Sequence, residues 1–232
     1  MMRKVLTHII TVALLLSAVY TMAGEGLVWD FEQTKIGEIP PDWKVEATNL
    51  RGKIASWEVI ADSTDGEETK ILGMTKVNDD FGGTFNICRT DSAQFKDGEI
   101  QVRFKAISGV EDQGGGPIWR VQDANNYYIV RANPLESNFR LYYVKDGARK
   151  ELASAKVDVP ANHWHTIKII CKGDHTEGYL NGKKYLEWKD STFPEAGGVG
   201  VWTKADAITY FDNFTVKTTG HDEKKESRGE KP

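Results

Sequence analysis

GGGPIWRVQDANNYYIVRANPLESNFRLYYV, residues Gly114–Val144, decides the fold. Trp119, Val121, Tyr128, Val130 and Ala132 fall on one parity; Arg120, Gln122, Tyr127, Arg131 and Asn133 fall on the other. Alternation with period two sends successive side chains to opposite faces of a strand. One face is therefore apolar and packs on a core. The other carries arginines and tyrosines that a core would reject. If the Gln122–Asn126 turn pairs Gln122 with Tyr127, Arg120 lies opposite Ile129 and Arg131 opposite Ile118, all on that polar face. Arg140 and Tyr142 share a parity on the following strand.

Outward from this hairpin the chain reads as strand after strand. GEIQVRFKAI (98–107) alternates Ile100, Val102, Phe104 and Ala106 against Gln101, Arg103 and Lys105, and HTIKIICK (165–172) repeats the pattern with Ile167 and Ile169. Asn181-Gly182 and Asp146-Gly147 are hairpin signals, because a type I′ turn needs φ > 0 at both central residues. No amphipathic helix and no internal repeat stands out. Short strands separated by regular turns predict an all-β sandwich or jelly roll of antiparallel sheets.

Residues 1–23 read as a secretory signal peptide: two early positive charges, an apolar run from Val5 to Val19, and Thr21-Met22-Ala23 as a cleavage site. This predicts a secreted, periplasmic or cell-envelope protein with no stable membrane span. Residues 24–217 form one domain, and residues 218–232, ending in HDEKKESRGEKP, a disordered charged tail. The net charge of −4 and the lack of a basic block argue against nucleic acid as a partner. Cys88 and Cys171 are the only cysteines. An exported chain permits a bridge between them, and buried free thiols fit equally well.

Several groups are candidates for function. Arg120, Tyr127, Arg131, Arg140 and Tyr142, with Trp202 at the rim, suit a sugar: guanidinium forks bind hydroxyls and carboxylates, and flat rings take the C–H face of a pyranose. The competing reading is a solvated face whose arginines pair with acids such as Asp123 and Glu136. Asp212 falls on the apolar parity of AITYFDNFTV, where a lone carboxylate is costly. Asp212 with Glu32 would suit a structural Ca²⁺; the alternative is a bulge that turns Asp212 outward. His163-x-His165 has metal-site spacing but only His175 nearby as a third ligand. Glu111, Asp112, Asp123 and Asp206 form no recognisable pair of catalytic acids. No organic cofactor is implied, and Gly114-Gly115-Gly116 opens no helix that would hold a phosphate.

The segments EDQGGGPIWRVQDANNYYIVRANPLESNFRLYYVKDGARKELASA, HWHTIKIICKGDHTEGYLNGKK and FPEAGGVGVWTKADAITYFDNFTV together resemble the 3-keto-disaccharide hydrolase-like domain. That family is also labelled family 16 glycoside hydrolase-like, within the concanavalin A-like lectin/glucanase superfamily. The resemblance runs from about Trp29 to Val216. It implies a jelly roll of two antiparallel sheets, a ligand groove on a concave face and carbohydrate as the ligand, and it places Asp212 where related folds hold a structural calcium. The Glu-x-Asp-x-x-Glu strand of family 16 glucanases is absent, so no catalytic residue is carried over. Three functions stand as expectations: a glycoside hydrolase or lyase acting on 3-keto-glycosides, a non-catalytic carbohydrate-binding module, or a laminin-G-like adhesion domain.

Overall fold

The computed structural model describes residues 26–63, 66, 68–77 and 82–219. The expected signal peptide and all of the expected charged tail except Thr218 and Thr219 lie outside these residues. Fifteen strands and no helix occupy the described chain: β1 (Leu27–Trp29), β2 (Trp43–Thr48), β3 (Ser56–Asp62), β4 (Thr69–Lys76), β5 (Phe85–Phe95), β6 (Gly98–Ser108), β7 (Gly115–Asp123), β8 (Asn126–Asn133), β9 (Asn138–Lys145), β10 (Ala148–Lys156), β11 (His165–Lys172), β12 (His175–Leu180), β13 (Lys183–Lys189), β14 (Gly197–Lys204) and β15 (Ile208–Thr218). They build two antiparallel sheets. The first runs β13-β12-β11-β6-β15-β4-β3, with β1 also paired to β15; the second runs β10-β9-β8-β7-β14-β5-β2. This is the expected sandwich.

The turns follow their chemistry. Asp146 (φ 50°) and Gly147 (φ 77°) join β9 to β10, and Asn181 (φ 50°) and Gly182 (φ 79°) join β12 to β13. Both pairs are left-handed, as a type I′ turn requires. The inward faces meet in one core that contains Ile100, Val102, Phe104, Trp119, Tyr128, Val130, Ala132, Ile167 and Ile169. Each fully buried side chain of this size contributes ~1.5–3 kcal/mol of transfer free energy.

Two bulges break the alternation. In β7, Trp119 pairs with Tyr128 and Ile118 with Ile129, while Asp123 pairs with Asn126. The expected register survives only next to the turn. Arg120, at φ 47°, absorbs the slip, so Arg120 does not lie opposite Ile129 and Val121 leaves the core parity. In β15 the register shifts between Asp212 and Thr215, with Asn213 at φ 49°. Phe211, Phe214 and Val216 enter the core. Asp212, expected on the apolar parity, is thereby paired in register with Arg103 on the opposite side of the strand. A bulged strand accommodates its extra residue this way, bending locally and flipping the facing of the residues beyond it.

The cysteines sit apart as two buried free thiols, one per sheet. Burial raises both pKa values, that of Cys171 to about 12. Neither is a reactive thiolate at neutral pH.

Candidate functional site on the outer face of the second sheet

The second sheet carries a second apolar cluster on the face turned away from the core. Tyr128, Val130 and Ala132 go to the core, so Tyr127, Ile129 and Arg131 go to this outer face. There Tyr127 and Ile129 pack with Phe85, Ile87, Ile118, Val121, Tyr142, Val144 and Trp202. An outer sheet face is usually solvated on a sandwich. Here Ile118, Ile129, Tyr127 and Trp202 have no exposed surface.

Above this floor stands a network of charge. Arg131 is fully buried; its Nη2 donates to Glu136 Oε2 at 3.0 Å and to Tyr142 Oη at 3.3 Å, and its Nη1 donates to Asn138 Oδ1 at 3.3 Å. Arg140 Nη1 donates to the same Glu136 oxygen at 2.9 Å, and Arg140 Nε lies 3.3 Å from Glu151. Burial alone would raise the pKa of Glu136, but the Asn138 amide and the two guanidinium groups outweigh it and hold the carboxyl below its usual range. Asp112 accepts hydrogen bonds from Gly114 N at 2.6 Å and from Asn133 Nδ2 at 3.0 Å, and lies 3.4 Å from Lys204 Nζ.

The glycine run makes room for this network. A Cβ on Gly114 would stand 2.7 Å from Arg131 Cδ and 2.8 Å from Asp112 Oδ1; one on Gly115 would strike Phe104 and Thr209 on the core side. The loop that carries Asp112 is held by Asp206, which accepts hydrogen bonds from the backbone N–H groups of Val110, Glu111 and Asp112 at 2.6–3.1 Å. Burial pushes Asp206 up, and these donors more than reverse it, so its pKa is lowered. Asp206 is thus an anchor for the loop.

Arg149 on β10 is the residue that alternation within β7–β9 does not reveal. Its guanidinium lies 4.5 Å from the Tyr142 ring centroid, 5.2 Å from Phe85 and 5.9 Å from Trp202. Burial lowers its pKa, and the nearby charge of Arg131 adds to that effect. The signal was present in the sequence: the Asp146-Gly147 turn sets Arg149 opposite Val144.

Of the six expected ligand-binding residues, the structure brings five to this face. Arg131, Arg140 and Tyr142 converge on Glu136. Tyr127 and Trp202 are joined by a hydrogen bond from Trp202 Nε1 to Tyr127 Oη at 3.2 Å. Trp202 lies in the floor, not at the rim, because its β14 position points into the cluster. Arg120 is elsewhere. Its guanidinium donates to the carbonyls of Lys96, Phe193 and Gly173 at 2.7–3.0 Å and to Asp97 at 3.3 Å. It staples chain turns together with every nitrogen engaged, because the bulge at its own φ turns it off the sheet face.

The other candidates are structural. Asp212 accepts from Arg103 Nη1 at 3.1 Å, Asn213 N at 2.7 Å and Asn213 Nδ2 at 2.9 Å. Burial raises its pKa despite these partners. Glu32 accepts from Thr69 Oγ1 and from Lys70 N. Each carboxylate thus already has partners within the protein, Asp212 on both oxygens and Glu32 on Oε1. His165 Nε2 lies 2.9 Å from Pro160 O and Nδ1 lies 3.0 Å from Asn181 Nδ2, so both ring nitrogens have partners within the protein. His175, Glu177 and Glu187 cluster within 4.8 Å, and Lys184 Nζ already bridges the two glutamates at 3.0 and 2.6 Å.

Dog galactocerebrosidase is 39% identical over 67 residues, which is 29% of this chain and 10% of that protein. The chain therefore spans about a tenth of such a relative. The carbohydrate binding module CBM66 from Bacillus subtilis has a similar fold, with a TM-score of 0.58 and 19% identity over 75% of this chain and 93% of the module. A β-glucanase from Bacillus licheniformis superposes with a TM-score of 0.56 and 13% identity over 85% of this chain and 99% of the glucanase. The fold is that of the jelly-roll glucanases and binding modules. Residues 43–217 match the 3-keto-alpha-glucoside-1,2-lyase-like domain, three quarters of the chain, and the protein belongs to that family.

Proposed function

We propose that this is a carbohydrate-active domain that binds sugar on the outer face of the second sheet, around Arg131, Glu136, Arg140, Tyr142 and Arg149. The observation that carries the reading is the charge network itself. A buried arginine, two partly exposed arginines and a carboxylate with one uncommitted oxygen are held together by the buried rings beneath them, and sugar recognition needs such fixed donors and acceptors. The fold likeness to a carbohydrate binding module supports it. The composition of residues 1–23 supports a setting outside the cytoplasm.

The family match supports a second reading, turnover of a 3-keto-glycoside. Oxidation at C3 makes the neighbouring C–H acidic, and elimination then needs one base and electrophilic help at the keto oxygen. Glu136 Oε2 is taken by Arg131, Asn138 and Arg140, and Oε1 is the free oxygen that would accept the proton. Arg131 and Arg140, both bonded to Glu136, are the electrophilic groups nearest to it on this face.

One experiment separates the two. The protein is incubated with 3-keto-glucosides and with ordinary glycans, measuring both retention and product release. Retention that is lost in Arg131→Ala with the fold intact supports the binding face. Release that disappears in Glu136→Gln while retention persists supports turnover. Unchanged retention in Arg131→Ala removes the proposed face.

A further inference from the structure

Most carboxylates on the outer face of the second sheet are committed to a cation, while Asp123 at the end of β7 accepts from Asn125 N and Asn126 Nδ2. Glu136 serves Arg131 and Arg140, Glu151 serves Arg140, and Asp112 lies against Lys204. Arg89 takes Glu46 and Asp91, and Lys44 also takes Asp91. Among the described residues, neither Arg149 nor the exposed Lys156 on this face has a carboxylate partner, and of the two only the Arg149 guanidinium lies against aromatic rings. Arg149 also makes no hydrogen bond, and its Nη1 is buried and unsatisfied. Arg131 Nε, on a side chain with no exposed surface, is buried and unsatisfied too. Both guanidinium groups approach the ring of Tyr142, at 5.8 Å for Arg131 and 4.5 Å for Arg149.

Buried N–H donors without partners are rare in folded proteins and costly to leave so. A guanidinium stacked on a ring keeps its edge free for in-plane, two-pronged hydrogen bonds, which match a planar carboxylate. We infer that the sugar held at this face carries a carboxylate, that Arg149 is its principal partner, and that Arg131 supplies the supporting positive charge. The ligand class is therefore a uronic acid glycan. This rests on the proposed sugar-binding face and sharpens it, since a neutral glycan would leave Arg149 without a counter-charge.

The test uses oligosaccharides of galacturonate, glucuronate and mannuronate, each as the acid and as its methyl ester, with neutral and sulfated oligosaccharides alongside. Binding is measured by calorimetry at low and high salt. At least one uronate should bind, and both methyl esterification and Arg149→Gln should weaken it by tenfold or more. The esterification arm uses the unaltered protein, so it does not depend on how the variant folds. Equal affinity for acid and ester, no effect of Arg149→Gln in a folded variant, or preference for the sulfated glycan overturns the carboxylate assignment. Binding of neutral glycans alone overturns this inference and leaves the sugar-binding face standing. Binding of no glycan in the panel overturns both.

Discussion

The two sheets use the same alternation and present opposite outer faces. On the first sheet most outward positions are half-exposed and paired in the ordinary way, and the buried ones, Lys105 and Asp212, are paired with Asp62 and Arg103. Lys168 lies 3.6 Å from Glu99 and 4.9 Å from the Tyr179 ring, and Lys184 bridges Glu177 and Glu187. Such surface pairs contribute ~0–1 kcal/mol each. On the second sheet the outward positions hold a closed aromatic and aliphatic cluster, with buried guanidinium groups above it. A domain that needed only stability has no reason to bury Arg131 on the far side of its own core, because taking a charge out of water is expensive unless it is fully paired. The unsatisfied guanidinium N–H groups of Arg131 and Arg149 are the difference on which the proposed ligand face rests.

Substitutions that remove this asymmetry rank by size. Trp202→Ala should cost about 3–5 kcal/mol in denaturant unfolding, the range for truncating a fully buried large aromatic side chain. Lys168→Ala on the opposite sheet should stay within about 0.5 kcal/mol. Comparable losses at both positions would erase the distinction between the faces. Next comes Asp206→Asn, at about 2 kcal/mol near neutral pH, since it weakens charge-assisted bonds to three backbone N–H groups. Its pH dependence has a definite sign. The folded pKa of Asp206 is lowered, so its stabilisation is present above the unfolded carboxyl value near ~3.9 and is lost as pH falls through the folded value. The gap between wild type and variant should therefore close in acid; a gap that widens there would contradict the anchoring role. The smallest effect concerns calcium. Because Asp212 faces Arg103 and Asn213, adding Ca²⁺ or a chelator should move the melting temperature by less than about 2 °C, the low end of the shift that 1 kcal/mol gives a domain of this size. A shift of several degrees would show that these carboxylates turn to an ion after all.

Much of this was legible in the sequence, and the misreadings share one cause. The strands at 98–108 and 165–172, and the turns at Asp146-Gly147 and Asn181-Gly182, follow from period-two patterning and left-handed turn residues. Alternation also put Arg131, Arg140 and Tyr142 on one face. It failed at Arg120 and Asp212, where a residue with a side chain adopts a left-handed backbone in mid-strand, at Arg120 itself and at Asn213. An arginine does not announce such a bulge, whereas Asn213 is a residue type that tolerates left-handed backbone, and a bulge turning Asp212 outward is the alternative its sequence offers. One slip takes Arg120 off the outer face of the second sheet to bond three carbonyls, and the other takes Asp212 off the core. Arg149 was overlooked for a different reason: it sits beside a turn, and its importance lies in partners it lacks, which only three-dimensional packing reveals.

The central claim is that sugar is held over β8, β9 and β10 on the outer face of the second sheet. The most direct measurement is a glycan titration followed by NMR, with side-chain signals of the arginines and aromatic residues assigned. The account predicts that perturbations concentrate on Arg131, Arg140, Tyr142 and Arg149 while Tyr179 on the first sheet and Trp164, whose ring lies against Arg103 and Lys105 of that sheet, stay still. Shifts confined to the first sheet, or saturable glycan binding with Arg149 and Tyr142 unmoved, would contradict it.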